Sequence, residues 1–354
     1  MYSLNDYHYD LPAELIAQQP IEQRDRSRLL CLGRQTGSLS HAVFSDIGNH
    51  LSEGDVLVVN NTAVIPGRLI GKKETGGKVE VLISDFVGGE KADAENGNFI
   101  CRSLVKASKR CRPGSWLHFA EGLKAQVLEA GSGDYQLEFQ ADGDFETLLY
   151  RIGQVPLPPY IKRNSGEMSE FDDQSSYQTV YARQKGAIAA PTAGLHFTEH
   201  LLTDLRAAGV HVVELTLHVG YGTFLPVRVT DIRRHRMQAE RYTISARAAR
   251  EINTARANRK KVVAVGTTCV RTLEYATDSN GDVRAGSGSC DLFIYPGYQF
   301  KTIDALVTNF HLPRSTLLML VAAFAGRDNV LNAYREAIRH GYRFYSYGDA
   351  MFIH

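Results

Sequence analysis

Cysteine is scarce and scattered in this chain: Cys31, Cys101, Cys111, Cys269 and Cys290, an odd number with no CxxC pair. That excludes a zinc ribbon and a disulfide framework and points to free thiols in a reducing compartment. There is no surplus of either charge, since 40 Lys and Arg face 39 Asp and Glu for a net charge of +1. Any contact with nucleic acid must therefore rest on local basic patches. Long apolar runs are absent too. The most apolar stretch, 317–325 (LLMLVAAFA), ends at Gly326 and is too short for a bilayer, so it reads as a buried helix. The first ten residues are polar with no apolar h-region, so no signal peptide is expected and a cytoplasmic location is. No internal repeat stands out.

What is present divides into three textures. Residues 1–66 mix helix and strand, with a short helix expected over 11–18 after Asp10 and Pro12, and a buried strand over 55–60 (DVLVVN). Residues 67–150 read as short strands at 78–83, 99–105, 115–119, 125–129 and 135–139, separated by Gly-, Asp- and Asn-rich turns. The polar segment 89–97 is expected to be an exposed hairpin tip, and the whole region a small barrel or sandwich. Residues 151–354 alternate strands at 187–190, 210–219, 261–265, 292–295 and 305–308 with helices at 199–208, 246–257, 268–276, 315–325 and 329–340. The predicted fold is thus a discontinuous α/β core (1–66 and 151–354) with a largely parallel sheet, open or barrel-like, and an inserted all-β domain (67–150).

In α/β folds, ligands bind outside the carboxyl ends of strands. Five loops qualify. Residues 189–198 (AAPTAGLHFT) put small residues Pro191, Thr192 and Gly194 beside His196, an acid or base, or else a histidine packed on Phe197 in a tight turn. In 218–224 (HVGYGTF), His218, Gly220 and Gly222 either bend over a planar ligand or make a plain turn. Residues 265–271 (VGTTCVR) lead a strand into a helix, where Gly266, Thr267 and Thr268 can offer amides to an anion. Arg271 is either that anion's counter-ion or a surface arginine paired with Glu274. Residues 307–315 (VTNFHLPRS) carry Asn309 and His311 as hydrogen-bonding groups. In 60–68 (NNTAVIPGR), Asn60 and Asn61 cap a helix or read a polar ligand.

Two motifs fail on inspection. Residues 71–78 (GKKETGGK) approach a phosphate loop, but the lysine is displaced and Val79 replaces the Ser or Thr needed for Mg²⁺. Residues 196–200 (HFTEH) match a zinc pattern that needs both histidines on one helical face, whereas Pro191, Gly194 and a Thr198 cap put His196 before the helix. Basic clusters occur at Lys106, Lys109, Arg110 and Arg112, at Arg233, Arg234 and Arg236, along 247–261, and at Lys162 and Arg163. Such runs are solvated faces or phosphate contacts.

Taken in order, YDLP (9–12), RDRSRLL (24–30), VVNNTAVIPGRL (58–69), TGGKVEVL (75–82), YQTVYARQKGAIAAPTAGLHFT (177–198), HVGYGTFLPV (218–227), VGTTCVRTLE (265–274), FIYPGYQFK (293–301), 304–326 and YSYGDA (345–350) resemble one family over almost the whole chain. It is the S-adenosylmethionine:tRNA ribosyltransferase-isomerase family. Departures are Gln238 where the family commonly has His, Tyr221 where Leu is usual, Cys269 where Ser or another small residue is common, and 173–177 (DQSSY), which lacks the charged pair commonly seen before the tyrosine. The resemblance implies a discontinuous α/β domain with an inserted β-barrel. It implies transfer and isomerisation of the ribosyl unit of S-adenosylmethionine onto 7-aminomethyl-7-deazaguanine at the wobble position of tRNA with a GUN anticodon. Epoxyqueuosine, adenine and methionine result, with no metal or second cofactor, in a cytoplasmic monomer. His196, His218 and His311 are then expected as acid–base groups. Pro191, Thr192, Gly194, Gly220, Gly222, Gly266, Thr267, Thr268 and Arg271 would hold S-adenosylmethionine, and Asn60, Asn61, Arg68, Lys78, Lys109, Arg110, Asn309 and Asp349 the base or tRNA. Competing readings are an RNA methyltransferase, which lacks its Gly-rich first turn here, a zinc hydrolase using His196, Glu199 and His200, and a tRNA-binding chaperone.

Overall fold

Alternation decides the central layer. In the strand Val56–Asn60, Val56 and Val58 enter one apolar core while Leu57 and Val59 enter the other, so both faces of the sheet are covered. The computed structural model describes residues 2–91, 98–131, 133–163, 172–224 and 226–354. Its strands are β1 (Arg28–Leu32), β2 (Leu39–Val43), β3 (Val56–Asn60), β4 (Thr62–Val64), β5 (Arg68–Lys73), β6 (Lys78–Lys91), β7 (Phe99–Ala107), β8 (Trp116–His118), β9 (Lys124–Ala130), β10 (Asp134–Gln140), β11 (Gln184–Ala187), β12 (His211–Leu217), β13 (Glu240–Ile244), β14 (Val262–Val265), β15 (Gly286–Cys290), β16 (Ala305–Asn309) and β17 (Ala350–Ile353). The helices are α1 (Phe145–Ile152), α2 (Asp173–Ser176), α3 (Glu199–Ala207), α4 (Ala246–Ala257), α5 (Thr267–Ala276), α6 (Thr316–Ala325) and α7 (Arg327–Arg339).

The large sheet has the order β15-β13-β12-β3-β14-β16-β17-β1-β2. Only its centre, β12-β3-β14-β16, is continuously parallel. Outside it the pairs are antiparallel except β17 with β1. The sheet is therefore less parallel than the alternating pattern predicts, because β1, β2 and β17 near the two ends of the sequence, which carry no long apolar run, add themselves to one side. Helices α4 to α7 pack on one face and α3 on the other.

The closed barrel is the insertion, β10-β7-β6-β5-β8-β9, wholly antiparallel. Its interior holds Val79, Val81, Leu117, Val127, Leu137 and Phe139, joined by Phe145 and Leu149 of α1. The chain leaves the core through β4 and returns through β11, which pair side by side in parallel.

Three local expectations give way. The helix at 11–18 is a single 3₁₀ turn, Ala13–Leu15, because Leu15 and Ala17 use their backbone to bond Phe344. No strand forms over 292–295; its apolar side chains pack on the core, and the strand is instead the Gly/Ser-rich β15, paired to β13 through the backbone and one Thr243–Ser287 hydroxyl contact at 2.8 Å. The strand near 187–190 ends at Ala187 and lies earlier, at Gln184–Ala187. The tip expected at 89–97 falls largely on 92–97, outside the described residues.

Candidate active site

Between the carboxyl ends of β14 and β16 lies an open cleft, the place where α/β folds bind ligands. One wall is the turn into α5 (Gly266, Thr267, Thr268) and another the turn into α6 (Thr308 to Leu312, Ser315). Ala189 to Ala193, Val219 with Thr223, and Tyr160, Tyr177, Tyr345 and Ser346 complete it. Among the described residues, none that lines it carries a formal charge. Four of the five loops singled out in the sequence meet here; that at 60–68 does not line it.

Gly266 has φ 87°, a conformation suited to glycine, and its amide bonds Val307 O at 2.8 Å, so the turn is tied to β16. No side chain caps α5, which leaves its first-turn amides for an anion. Asn60 latches the turn from below. Its Nδ2 donates to Leu217 O (2.9 Å) and Thr268 Oγ1 (3.2 Å), and its Oδ1 accepts from Leu217 N (3.0 Å) and Thr62 N (3.2 Å). Asn61 is likewise taken, by Glu214 (3.0 Å) and Thr216 (2.7 Å). Neither asparagine caps a helix: Asn60 ties β3 to β12 and to the Thr268 hydroxyl, and Asn61 bonds two side chains of β12.

His311 is the only expected histidine on the cleft wall. Thr308 Oγ1 lies 2.7 Å from its Nε2, against 3.4 Å to the competing acceptor Asn309 O. The hydroxyl also donates to Asn309 O, and which atom of the 2.7 Å contact carries the proton follows the imidazole tautomer. Burial pushes the imidazole down to about 3, so it is neutral at pH 7. Its backbone is fixed by Tyr9 Oη on His311 O (2.5 Å) and by His311 N on Tyr334 Oη (2.8 Å).

His196 stands behind the wall. Asn309 donates through Nδ2 to His196 Nε2 (3.1 Å) and to Tyr345 O (3.1 Å), and accepts Thr192 Oγ1 at Oδ1 (3.0 Å). Nε2 being an acceptor, Nδ1 carries the proton and donates to Ser27 Oγ (2.7 Å). His196 touches no open space of the cleft; it orients Asn309, which does. Burial, then Arg343 and Arg24, hold its pKa at about 3. The unfolded chain, titrating near 6.5, binds the proton first, so this stability is complete above pH 6.5 and is lost as pH falls from there toward 3. Acidification to pH 5 should cost about 2 kcal/mol through this residue. Denaturant midpoints at pH 7 and 5 check it: His196→Gln should show a correspondingly shallower dependence, and an equal slope refutes the assignment.

Arg271 does not face the cleft, nor does it pair with Glu274. It is 3% exposed and forms a buried ion pair with Glu240, with Nε on Leu292 O (3.0 Å) and Nη2 on Cys290 O (3.2 Å). Glu240 in turn accepts Gly220 N (2.9 Å) and Thr223 Oγ1 (3.0 Å). The pair thus suspends the 220–223 loop that forms one wall. Gly222 lies on Gln238, whose Oε1 would be 2.6 Å from a Cβ there; position 238 supports that loop from beneath.

The remaining expected residues lie elsewhere. His218 is half-buried where Thr62 Oγ1 meets its Nδ1 at 2.9 Å, beside Gly186. Gly194 packs under the 192–196 turn on Tyr181. Asp349 accepts Arg28 N (3.0 Å) and Arg343 N (2.8 Å), closing the turn that presents Tyr345 and Ser346. Arg68 pairs with Glu80 at 2.8 Å, and Lys78, Lys109 and Arg110 are exposed on the barrel. The zinc pattern does not assemble: His196 is held as above, and His200 pairs with Asp204 at 2.9 Å. Among the described residues, the one trio whose ligand atoms converge is His41, Glu336 and His340, and none of it lines the cleft.

Sequence reasoning missed the aromatic wall. Tyr160 and Tyr345 have ring centroids 4.7 Å apart, and Tyr160 Oη lies 2.7 Å from Ser346 Oγ. Tyr345 has φ 70°, unusual for an aromatic residue, and Asn309 holds its carbonyl. The only sequence signal was the Tyr- and Gly-rich stretch 345–350.

A family model described as "Queuosine biosynthesis protein" matches residues 4–353. The chain is 52% identical over 352 residues to a protein of Geotalea uraniireducens and 49% identical over 353 residues to one of Acetivibrio thermocellus, covering 99% of each chain in both cases. Both relatives are named S-adenosylmethionine:tRNA ribosyltransferase-isomerase. It is also similar to the crystal structure of an S-adenosylmethionine tRNA ribosyltransferase from Thermotoga maritima, at 38% identity and TM-score 0.55, covering 99% of this chain and 100% of that one. The chain belongs to the queuosine biosynthesis protein family.

Proposed function

We propose that this protein transfers and isomerises the ribosyl moiety of S-adenosylmethionine onto 7-aminomethyl-7-deazaguanine at the wobble position of a GUN-anticodon tRNA. The products are epoxyqueuosine, adenine and methionine. The observation that carries this reading is the uncharged cleft bounded by a bare helix N-terminus on one side and tyrosines on the other. Such a cleft suits a zwitterionic sulfonium nucleoside. The methionine carboxylate docks at the first-turn amides of α5 beside Thr267 and Thr268. The sulfonium lies against the faces of Tyr160 and Tyr345 in place of a carboxylate counter-ion.

In the chemistry, a base removes the 5′ proton acidified by the sulfonium. The resulting electron pair opens the ribose ring and expels adenine. The acceptor amine, having lost a proton, attacks, and ring closure then breaks the carbon–sulfur bond to release methionine and leave the epoxide. The neutral His311, on the cleft wall, donates a hydrogen bond to the departing base as negative charge builds on it. Asn309, oriented by His196, holds the Tyr345 backbone and Thr192 in place around it. His218 takes no part in this assignment. The core residues 1–66 and 151–354 form the reaction domain, and 67–150 an appended RNA-facing domain of a cytoplasmic monomer.

Nucleoside and small-molecule analysis after incubation with precursor-containing tRNA and S-adenosylmethionine tests the reading. Stoichiometric adenine and methionine with an epoxide-bearing nucleoside are expected. S-adenosylhomocysteine with a methylated nucleoside would replace this reading with methyl transfer.

A further inference from the structure

On the barrel, strand register brings four basic side chains into one line. Lys78 of β6 is the partner of Lys72 of β5, Lys72 of His118 of β8, and His118 of Lys124 of β9. Neighbouring positions Val79, Leu117 and Ala125 point into the barrel core, so the row faces outward. The three lysines are exposed and His118 partly so. Strands about 4.8 Å apart make the row about 14 Å long. Directly opposed like charges in a sheet are destabilising, and among the described residues none of these four has a carboxylate partner. The loop between β7 and β8 adds Lys109, Arg110 and Arg112 at the same end. It is pinned there by Lys73 Nζ on Lys109 O (3.0 Å) and by the buried Cys111.

We propose that this cross-strand row is a phosphate-backbone contact for a helical arm of the tRNA, remote from the modified base. The proposal rests on the tRNA reading above for its partner. Repulsion within the row is relieved when a polyanion lies across it. The row reads no sequence, since lysines on a barrel wall offer point charges to phosphates and no base-edge pattern. A sheet surface about 14 Å wide suits the regular backbone of a duplex.

The test compares full-length wild type with Lys72→Ala/Lys78→Ala/Lys124→Ala, a triple Lys→Arg variant, and a control, Arg247→Ala/Arg250→Ala, on exposed positions of α4. Direct binding to an unmodified tRNA is measured as a function of salt, together with steady-state kinetics. The triple Ala variant should bind at least about tenfold more weakly, with the slope of log K against log salt reduced by about 2–3. Its KM for tRNA should rise while kcat and the KM for S-adenosylmethionine hold. Triple Arg should bind like wild type. Relief of repulsion should leave the Ala variant at least as heat-stable as wild type, which separates weak binding from misfolding. An unchanged salt slope, or an equal loss in the α4 control, overturns the proposal. Because binding is read without turnover, its failure is distinct from failure of the ribosyl-transfer reading, which only product analysis decides.

Discussion

Replacing His311 with alanine should lower kcat by about 10²–10³-fold, the usual loss on removing one preorganised donor to a developing negative charge. His218→Ala should stay within a few-fold of wild type. The contrast follows from placement: His311 lines the cleft, whereas His218 is spent on Thr62 outside it. The pH dependence carries further information. Burial holds His311 at about 3, so it does not titrate between pH 5 and 8, and it is charged only below that range. The profile of kcat/KM for S-adenosylmethionine should therefore show no histidine limb near pH 6.5 belonging to this residue. The residual activity of His311→Ala should follow the same profile. Wild-type turnover in the alanine variant, or a limb near 6.5 that disappears with the imidazole, would remove the neutral-donor role.

Arg271→Ala should cost about 3–5 kcal/mol of stability, because it strands the Glu240 carboxylate in the interior. Glu240→Ala should be similar in size and should also release Gly220 and Thr223 from their acceptor. Replacing both partners by apolar residues, Arg271→Met with Glu240→Leu, should cost less than either single change, since no buried charge is left alone. Denaturant midpoints of the three variants measure this. A counter-ion for the methionine carboxylate would behave otherwise, with a raised KM for S-adenosylmethionine and normal stability. That result for Arg271→Ala would restore the role inferred from its position after Thr268.

Much of the layout was readable along the chain. The buried run 55–60, the two-residue period of 78–139 and the capped helices at 199, 246 and 316 each carry a local signal that tertiary packing did not override. β15 went unread because GSGSC has no side-chain reason to be a strand; its pairing is supplied by an edge of β13. β1 and β17 are short, and their pairing with each other joins residues more than 300 apart in sequence, which no local pattern shows. Site residues split the same way. Gly266, Thr267, Thr268, Asn309 and His311 stand at strand ends, where the α/β rule puts ligands. Asn60, His196 and Arg271 look equally functional in sequence, and only their hydrogen-bond partners show that they hold others in place.

Residue order alone determined the layered architecture, the inserted all-β unit and four of the five loops proposed to cluster, because hydrophobic period and turn chemistry are local properties. Which side chain of each loop turns into open space and which turns back to satisfy a buried neighbour was decided by the tertiary structure. A polar group's role depends on the partner it finds, and Ser27 with His196, Glu240 with Arg271 and Lys72 with His118 are brought together only when distant segments fold against one another.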